Sequence, residues 1–392
     1  MAAENIKKLY AKLETKKEQF VDRGRECSEL TISSLLPPEG FSNSSDLYTP
    51  YQSIGARGVN NLASKLLLLL LPPNEPFFRL TTSNKIKQEL EEDQELQTEV
   101  ERSLAKIERE VMRFIEESAL RVSLFEGLKH LLITGNVLIS LPKNNQMKIY
   151  SINQYVVDRD ADGNLMQIII KESISPKSLD PEIREQCQLD GEKDSDVDLY
   201  TSISKEVDGK FHVYQCCNEI VLPSSIGKYK EEDLPFMALR MVRVDTESYG
   251  RSYVEEFLGD LKSLEGLSQS LLESSAASAK VVFMVKPNAV TKKRDLVESA
   301  NGDIIVGHRD DVTTLQAEKQ YDLQVVERVI NTLTERLSFA FLLQSGVIRD
   351  AERVTAEEIR KLANELESSL GGLYSLLSQE FQVPLVNLLM KR

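Results

Sequence analysis

The chain has few of the residues from which metal and redox sites are built. Its 392 residues include three histidines, four cysteines and no tryptophan. Zinc on His212 and the neighbouring cysteine pair is disfavoured, because alternation along a strand would put Cys216 and Cys217 on opposite faces. No metal site is predicted, and we interpret all the cysteines as free thiols of a reducing compartment; they are Cys27, Cys187, Cys216 and Cys217.

Long hydrophobic runs are also lacking. The longest, residues 66–71, is bounded by Lys65 and by Pro72-Pro73, and it is far short of the ~20 residues that a membrane-spanning helix needs. The N-terminus has no apolar core of signal-peptide type. We therefore predict a buried helix end at residues 66–71 and no membrane partner.

Sequence motifs for chemistry are missing too. The chain has no G-x-x-x-x-G-K-[ST] phosphate loop, no G-x-G-x-x-G and no H-E-x-x-H, so neither a nucleotide motor nor a dinucleotide or zinc-protease site is visible. Carboxylates are plentiful, but a sequence cannot pair them into an acid–base site. The chain is predicted not to be an enzyme and to need no cofactor.

The charge balance is strongly acidic. Forty-eight basic residues stand against 62 acidic ones, for a formal net charge of −14. A protein that coats DNA would be basic. This balance fits a highly soluble protein, or one whose surface should not hold a polyanion tightly.

What the chain does contain is helices with interspersed strands, which predicts a mostly helical α+β fold. Residues 156–159 and 165–170 predict two strands around a turn at Asp160–Gly163. Calcium on Asp160 and Asp162 is the alternative, but too few oxygens follow at the required offsets.

Long helices dominate the C-terminal part. Ser252 and Glu255 form a capping box that starts a helix over 252–279, and a second long helix is predicted over 321–343. Thr355 and Glu358 form another capping box after a short charged loop. Small strands are expected at 281–285, 303–306 and 312–315.

A compact basic segment lies between the two long helices. It has no acidic residue from position 286 to 294, and generic surface lysines are the alternative interpretation of such a run. Its cations are Lys286, Lys292, Lys293 and Arg294.

Several stretches, in order and over nearly the whole chain, resemble the portal family of short-tailed double-stranded-DNA bacteriophages, which are head-to-tail connectors. They are YTPYQSIGARGVNNLASKL (48–66), RVSLFEGLKHLLITGNVLISLP (121–142), MVRVDTESYGRSYVEEFLGDLKSLE (241–265), ERLSFAFLL (335–343) and ERVTAEEIRKLANELESSLGGLYSLLSQEFQVPLV (352–386).

This resemblance implies a division of the chain into the parts of a portal subunit. The family usually continues past its last long helix into a C-terminal crown, and we expect that crown to be absent here. The implied parts are a wing (1–246), a stem helix (247–279), a clip (280–320), a second stem helix (321–343), a tunnel loop (344–354) and a wing helix (355–392).

The resemblance also implies a function. Twelve subunits would form a ring at one capsid vertex, through which DNA is packaged, retained and ejected, and which joins head to tail. Its partners would be other copies of itself, the major capsid and scaffolding proteins, terminase, a tail adaptor and the passing double-stranded DNA. The subunit would assemble in the host cytoplasm and reside in the virion.

Residue roles follow on the same basis. Arg349 and Arg353 are expected to approach DNA in the tunnel loop, with pairing to nearby acidic residues as the alternative. The four cations of the basic segment are expected to dock terminase or the tail adaptor. The rival function is an acidic cytoplasmic helical scaffold or adaptor without catalysis.

Overall fold

Two compact units make up the chain. The computed structural model describes residues 2–42, 44–73, 76–82, 94–142, 146–179, 181–187, 196–217, 220–278, 282–315, 320–343 and 372–391. The larger unit is Met1–Leu258 together with Ser338–Arg392, and the smaller unit is Gly259–Leu337.

The α-helices of the described residues follow this order. They are α1 Ala2–Glu29, α2 Ile54–Leu70, α3 Gln94–Glu117, α4 Leu120–Thr134, α5 Pro181–Gln186, α6 Tyr253–Glu256, α7 Leu258–Ser278, α8 Lys293–Glu298, α9 Gln320–Ala340, α10 Leu373–Leu377 and α11 Val383–Met390. Short 3-10 turns occur at Ile152–Gln154, Pro176–Ser178, Pro223–Ser225, Glu231–Asp233 and Arg309–Asp311. None of these helices combines the length and hydrophobicity that a bilayer crossing requires.

Three antiparallel sheets accompany the helices in the described residues. The strands are β1 Asn136–Ser140, β2 Lys148–Tyr150, β3 Tyr155–Arg159, β4 Leu165–Ile174, β5 Val197–Lys205, β6 Phe211–Cys217, β7 Ile220–Val221, β8 Gly227–Tyr229, β9 Phe236–Arg240, β10 Val282–Val285 and β11 Val312–Leu315. The larger unit holds a sheet of order β2-β1-β9 and a sheet of order β3-β4-β5-β6-β7 in which β8 also pairs with β6. The smaller unit holds the β10-β11 pair. The mixed helical and antiparallel architecture confirms the predicted α+β class.

Helix α1 covers the edge of the larger sheet. Its first half packs with Val156 in one buried cluster and its second half packs with Val157 in another. Successive strand residues point to opposite faces, so α1 crosses edge strand β3 from one face to the other. At the crossing, the Lys17 ammonium donates to the carbonyl of Tyr155 at 3.2 Å. The helix therefore protects a strand edge that could otherwise pair with another chain.

The predicted hairpin is present as β3 and β4. Its turn is closed by the amide of Asp160 donating to the carbonyl of Asn164 at 3.0 Å, and by the amide of Asn164 donating to the Asp160 carboxylate at 2.7 Å. Gly163 has a φ of +84°, a conformation that glycine adopts without steric cost. The Asp160 carboxylate thus closes a turn, as the turn interpretation predicts.

The C-terminal helical segment contains a π-helix at Ser378–Gln382, between α10 and α11. Pro384 explains its position, because a proline in a regular helix lacks its amide hydrogen and clashes with the carbonyl four residues earlier, here Glu380. The side chain of Gln382 donates to the carbonyl of Leu70 at 2.8 Å. The π-helix therefore supplies a donor to the last carbonyl of α2. The leucines predicted to be buried at residues 66–71 are buried except Leu67, which is partly exposed.

Both long helices differ from their predicted limits. Ser252 does cap a helix start, since its hydroxyl accepts from the amide of Glu255 at 3.2 Å. It caps only the short α6, however, because the helix is interrupted at Phe257 and α7 begins at Leu258. The second long helix ends at Ala340 rather than at residue 343.

The strand predicted at 303–306 is wrong. A turn precedes it, in which the amide of Asp303 donates to the carbonyl of Ala300 at 3.2 Å, and Gly302 has a φ of +98°. The carboxylate of Asp303 accepts from the amide of Ala300 at 2.6 Å. Asp303 closes this turn instead of starting a strand.

Candidate functional site: the basic segment and the end of the second long helix

A two-stranded ribbon supports the basic segment, residues 286–294. Strands β10 and β11 pair from Val282 opposite Leu315 to Val285 opposite Val312. The amide of Lys286 then donates to the carbonyl of Asp311 at 3.0 Å. The ribbon therefore fixes where the basic segment begins.

One carboxylate organises the rest of this segment. The Asp311 side chain accepts from the amides of Val290 at 3.1 Å and Thr291 at 3.3 Å, and from the Thr291 hydroxyl at 3.1 Å. It also accepts from the amide of His308 at 3.3 Å. Burial alone would raise the pKa of Asp311, but these hydrogen bonds outweigh burial and lower it below 3.8. The carboxylate thus stays charged and holds two loops together.

All four predicted cations are exposed on this scaffold. Arg294 pairs with Glu298, one helical turn later, at 2.9 Å. Among the described residues, no carboxylate lies within ion-pair distance of the other three. Lys292, Lys293 and Arg294 stand at the N-terminal end of α8, where a helix dipole favours anions rather than cations. Apart from the pair that Arg294 makes with Glu298, the interaction of these cations with the helix dipole therefore does not stabilise α8.

Exposed apolar side chains surround these cations in the sequence. Ile304 is 98% exposed and Val306 is 77% exposed, and Val297 within α8 is 75% exposed. Large exposed apolar side chains are costly to leave in water and often mark contact surfaces. The smaller unit therefore offers both charge and apolar area for contacts.

The second feature is the end of α9, from which the predicted tunnel loop continues. The amide of Leu343 donates to the carbonyl of Ser338 at 2.8 Å, and the amide of Leu342 donates to that of Phe339 at 3.1 Å. These two bonds form a Schellman motif, whose left-handed position is usually glycine. Here it is Leu342, with a φ of +54°.

Side chains from elsewhere in the larger unit bind the remaining carbonyls of this helix end. The Tyr253 hydroxyl donates to Ala340 at 2.8 Å. The Asn61 amide group donates to Phe341 and Leu342, each at 3.0 Å. The Lys65 ammonium donates to Leu342 at 2.9 Å. The terminal carbonyls of α9 are therefore held by three side chains.

An aromatic cluster surrounds the same helix end. The ring of Phe341 is fully buried, with its centroid 5.8 Å from that of Phe257 and 6.1 Å from that of Tyr253. Gly58 of α2 lies directly against it, since a Cβ at Gly58 would be 2.5 Å from Phe341 Cγ. Only a glycine lets α2 approach so closely.

Arg349 and Arg353 lie outside the described residues, as does the capping box predicted at Thr355 and Glu358.

The sequence analysis did not predict the contacts that Gly58, Asn61 and Lys65 make at the end of α9. The signal was a lysine within NLASKLLLLL, because a cation on an otherwise buried helix face needs acceptors.

The described features that could serve contacts with other chains are the exposed cations and the exposed apolar side chains of the smaller unit. In the described part of the chain, there is no group of three or more His, Cys, Asp or Glu residues that could hold a metal ion.

Comparison with known proteins defines the class. Residues 3–392 match the family described as bacteriophage head to tail connecting protein. The chain is 43% identical over 401 residues to the portal protein of Escherichia phage T7, with 100% of this chain and 75% of the T7 protein covered. It is 42% identical over 400 residues to the portal protein of Enterobacteria phage T3, with the same coverage of each chain.

Among solved structures, the chain is similar to a protein in the neck of an empty gene transfer agent particle, computed with C6 symmetry. The TM-score is 0.41 at 9% identity, with 84% of this chain and 76% of that chain covered.

The chain therefore belongs to the bacteriophage head-to-tail connecting protein family. Its portal relatives are structural proteins of the virion at the junction of head and tail. This chain is a portal subunit that joins head to tail.

Proposed function

We propose that twelve copies of this chain close into a ring at one capsid vertex and that double-stranded DNA passes through its centre. The full-length match to the portal family carries this proposal. Identical subunits that contact head to tail can close into such a ring. The family match also favours this proposal over the alternative of an acidic cytoplasmic helical scaffold or adaptor without catalysis.

The acidity of the chain suits a channel that DNA must slide through. DNA carries one negative charge per ~1.7 Å of its axis, so a strongly basic wall would hold it in place. Each subunit contributes a formal charge of −14. A largely acidic wall repels phosphates, and a few arginines can contact them transiently.

Native mass tests the ring. Light scattering at moderate salt should give a mass near twelve times 44.3 kDa. A persistent monomer or dimer, also in the presence of capsid scaffolding protein, would contradict the ring.

Arg349 and Arg353 are our candidates for the arginines that contact DNA. Replacing both with Ala should leave ring formation intact and reduce DNA packaging or retention. The matched control replaces two exposed arginines of α3, Arg102 and Arg109, with Ala. Packaging and retention equal to wild type in the Arg349/Arg353 double variant would refute this role.

The basic segment is our candidate docking surface for acidic surfaces of terminase and the tail adaptor. Its three clustered cations are exposed, and the dipole of α8 does not favour cations at the start of the helix, where they lie. The exposed apolar side chains of Val297, Ile304 and Val306 support a contact role for the same unit.

Charge reversal tests this docking. Changing Lys292, Lys293 and Arg294 to Glu should weaken binding of both partners while rings still form, and the loss should shrink as salt rises. Reversal of three exposed cations elsewhere is the control, at Arg102, Lys210 and Lys230. Unchanged affinity for both partners at moderate salt would exclude the docking role.

A further inference from the structure

Two residues of α2 donate hydrogen bonds to the carbonyls at the end of α9. Asn61 and Lys65 are four positions apart, so they lie on one face of α2. Both donate to the carbonyl of Leu342, and Asn61 also donates to that of Phe341. Residues far apart in sequence thus determine a single helix end.

The conformation at this helix end is one that its own sequence does not favour. Leu342 has a left-handed backbone, which a residue with a Cβ adopts at a cost in energy. Such a conformation persists where surrounding contacts hold it. The bonds from Asn61 and Lys65 to the Leu342 carbonyl are contacts of this kind.

The position of the lysine charge fits the same role. Lys65 is 1% exposed, and its ammonium lies at the C-terminal end of α9, where the helix dipole is negative. The cation therefore favours a helix that ends at this point.

We propose that Asn61 and Lys65 are positioning residues that fix the direction in which the chain continues after residue 343, and thereby the place of Arg349. If α9 instead continued as a helix, residue 349 would lie about 10 Å beyond residue 342 along the helix axis, because the rise is ~1.5 Å per residue. The positioning role does not depend on the proposed function. Only its effect on DNA contact rests on the proposal that Arg349 contacts DNA.

The test measures this position directly in the full chain. Spin labels are placed at Arg349→Cys and, as a reference within the larger unit, at Lys106→Cys on the exposed face of α3. The native cysteines are all buried, so labelling is directed to the two new sites. Labelled chains are diluted with unlabelled chains, and the distance between the labels is measured by pulsed electron paramagnetic resonance.

Lys65→Met and Asn61→Leu should each shift or broaden the distance distribution by several ångströms. Arg57→Met removes an exposed cation from the same helix and should leave the distribution unchanged. Phe341→Leu lowers the stability of the same helix end but keeps both donors, so it should lower the melting temperature without moving the labels.

A distribution in Lys65→Met and Asn61→Leu that matches wild type would overturn the proposal, and so would an equal shift in Phe341→Leu. DNA retention is measured on the same variants without labels. A shifted label with normal retention would leave the positioning role standing and count against DNA contact by Arg349. The two ideas can therefore fail separately.

Discussion

Two places in this molecule each contain a buried charged side chain that binds main-chain groups, and the two charges are opposite. At the end of α9, the ammonium of Lys65 binds a carbonyl oxygen. In the smaller unit, the carboxylate of Asp311 binds three backbone amides and a hydroxyl. A cation holds a helix end in the first case and an anion holds loop amides in the second, because each satisfies the main-chain groups left without partners there.

The surroundings of the two charges differ. Lys65 is close to an aromatic cluster that contains Phe341, and α2 is packed against that ring through Gly58. Around Asp311 the neighbouring segments carry exposed side chains such as Ile304 and Val306. The helix end is therefore held by packing as well as by hydrogen bonds, whereas the basic segment depends mainly on hydrogen bonds. Substitutions should have global effects at the first place and local effects at the second.

The largest effect is expected for Phe341→Ala. Removing a fully buried phenylalanine leaves a cavity between Tyr253 and Phe257, and such changes cost about 3–5 kcal/mol. Urea unfolding of the larger unit should report this loss. A loss below about 1 kcal/mol would mean that packing contributes little at this helix end, and the contrast with the basic segment would fail.

The second-largest loss of stability is expected for Gly58→Ala. Alanine favours helices over glycine, but its Cβ would overlap Phe341 Cγ at 2.5 Å. Overpacking of this kind costs about 1–3 kcal/mol. The control is Gly259→Ala in α7, where nothing lies within 4 Å of the added Cβ, and a gain of about 0.5–1 kcal/mol is expected. Equal effects at both positions in urea unfolding would contradict close packing at Gly58.

Asp311→Asn should have a local effect. Hydrogen exchange at the amides of Val290 and Thr291 should speed up, because an amide group cannot accept all the bonds that the carboxylate accepts. Asp310→Asn, at an exposed neighbour, is the control. Faster exchange throughout the larger unit would show that the effect is not confined to the basic segment.

The same carboxylate predicts a pH dependence. Its pKa is lower in the folded state than the usual 3.8, so its stabilising contribution is fully present above about pH 4 and is lost as pH falls through the folded pKa. Pulsed hydrogen exchange after incubation at decreasing pH should show this loss in wild type and not in Asp311→Asn. Equal acid sensitivity of the two proteins would assign the effect to another group.

The smallest effect is expected for Arg294→Ala. Its partner Glu298 is also exposed, and exposed pairs at this spacing contribute about 0.3–0.5 kcal/mol. The free energy of unfolding should therefore change by no more than about 0.5 kcal/mol. A larger change would mean that Arg294 supports the fold, and its use as a docking probe would need revision.

Local sequence signals predicted the parts of the fold that depend on neighbouring residues. The helix cap at Ser252 and the turn at Asp160 were both foreseeable, because the donor and acceptor lie within four residues of each other. The ion pair between Arg294 and Glu298 belongs to the same kind, since residues four apart on a helix are neighbours.

The end of α9 was not foreseeable in this way. Residues 341–343 continue the apolar helical pattern, and a leucine is an unusual choice for a left-handed position. The helix ends there with donors supplied by Asn61 and Lys65, which are 277–281 positions away in the sequence. Hydrophobic periodicity reflects only neighbouring residues, so it predicts a helix as far as residue 343.

The separation between Lys65 and Leu342 also bears on the order of events during synthesis. The lysine leaves the ribosome 277 residues before its acceptor, and at about 5–20 residues per second that interval is roughly 14–55 s. Throughout this time Lys65 has no Leu342 carbonyl to bind. The helix end that precedes the predicted tunnel loop is therefore completed only after Met1–Leu258 of the larger unit has emerged.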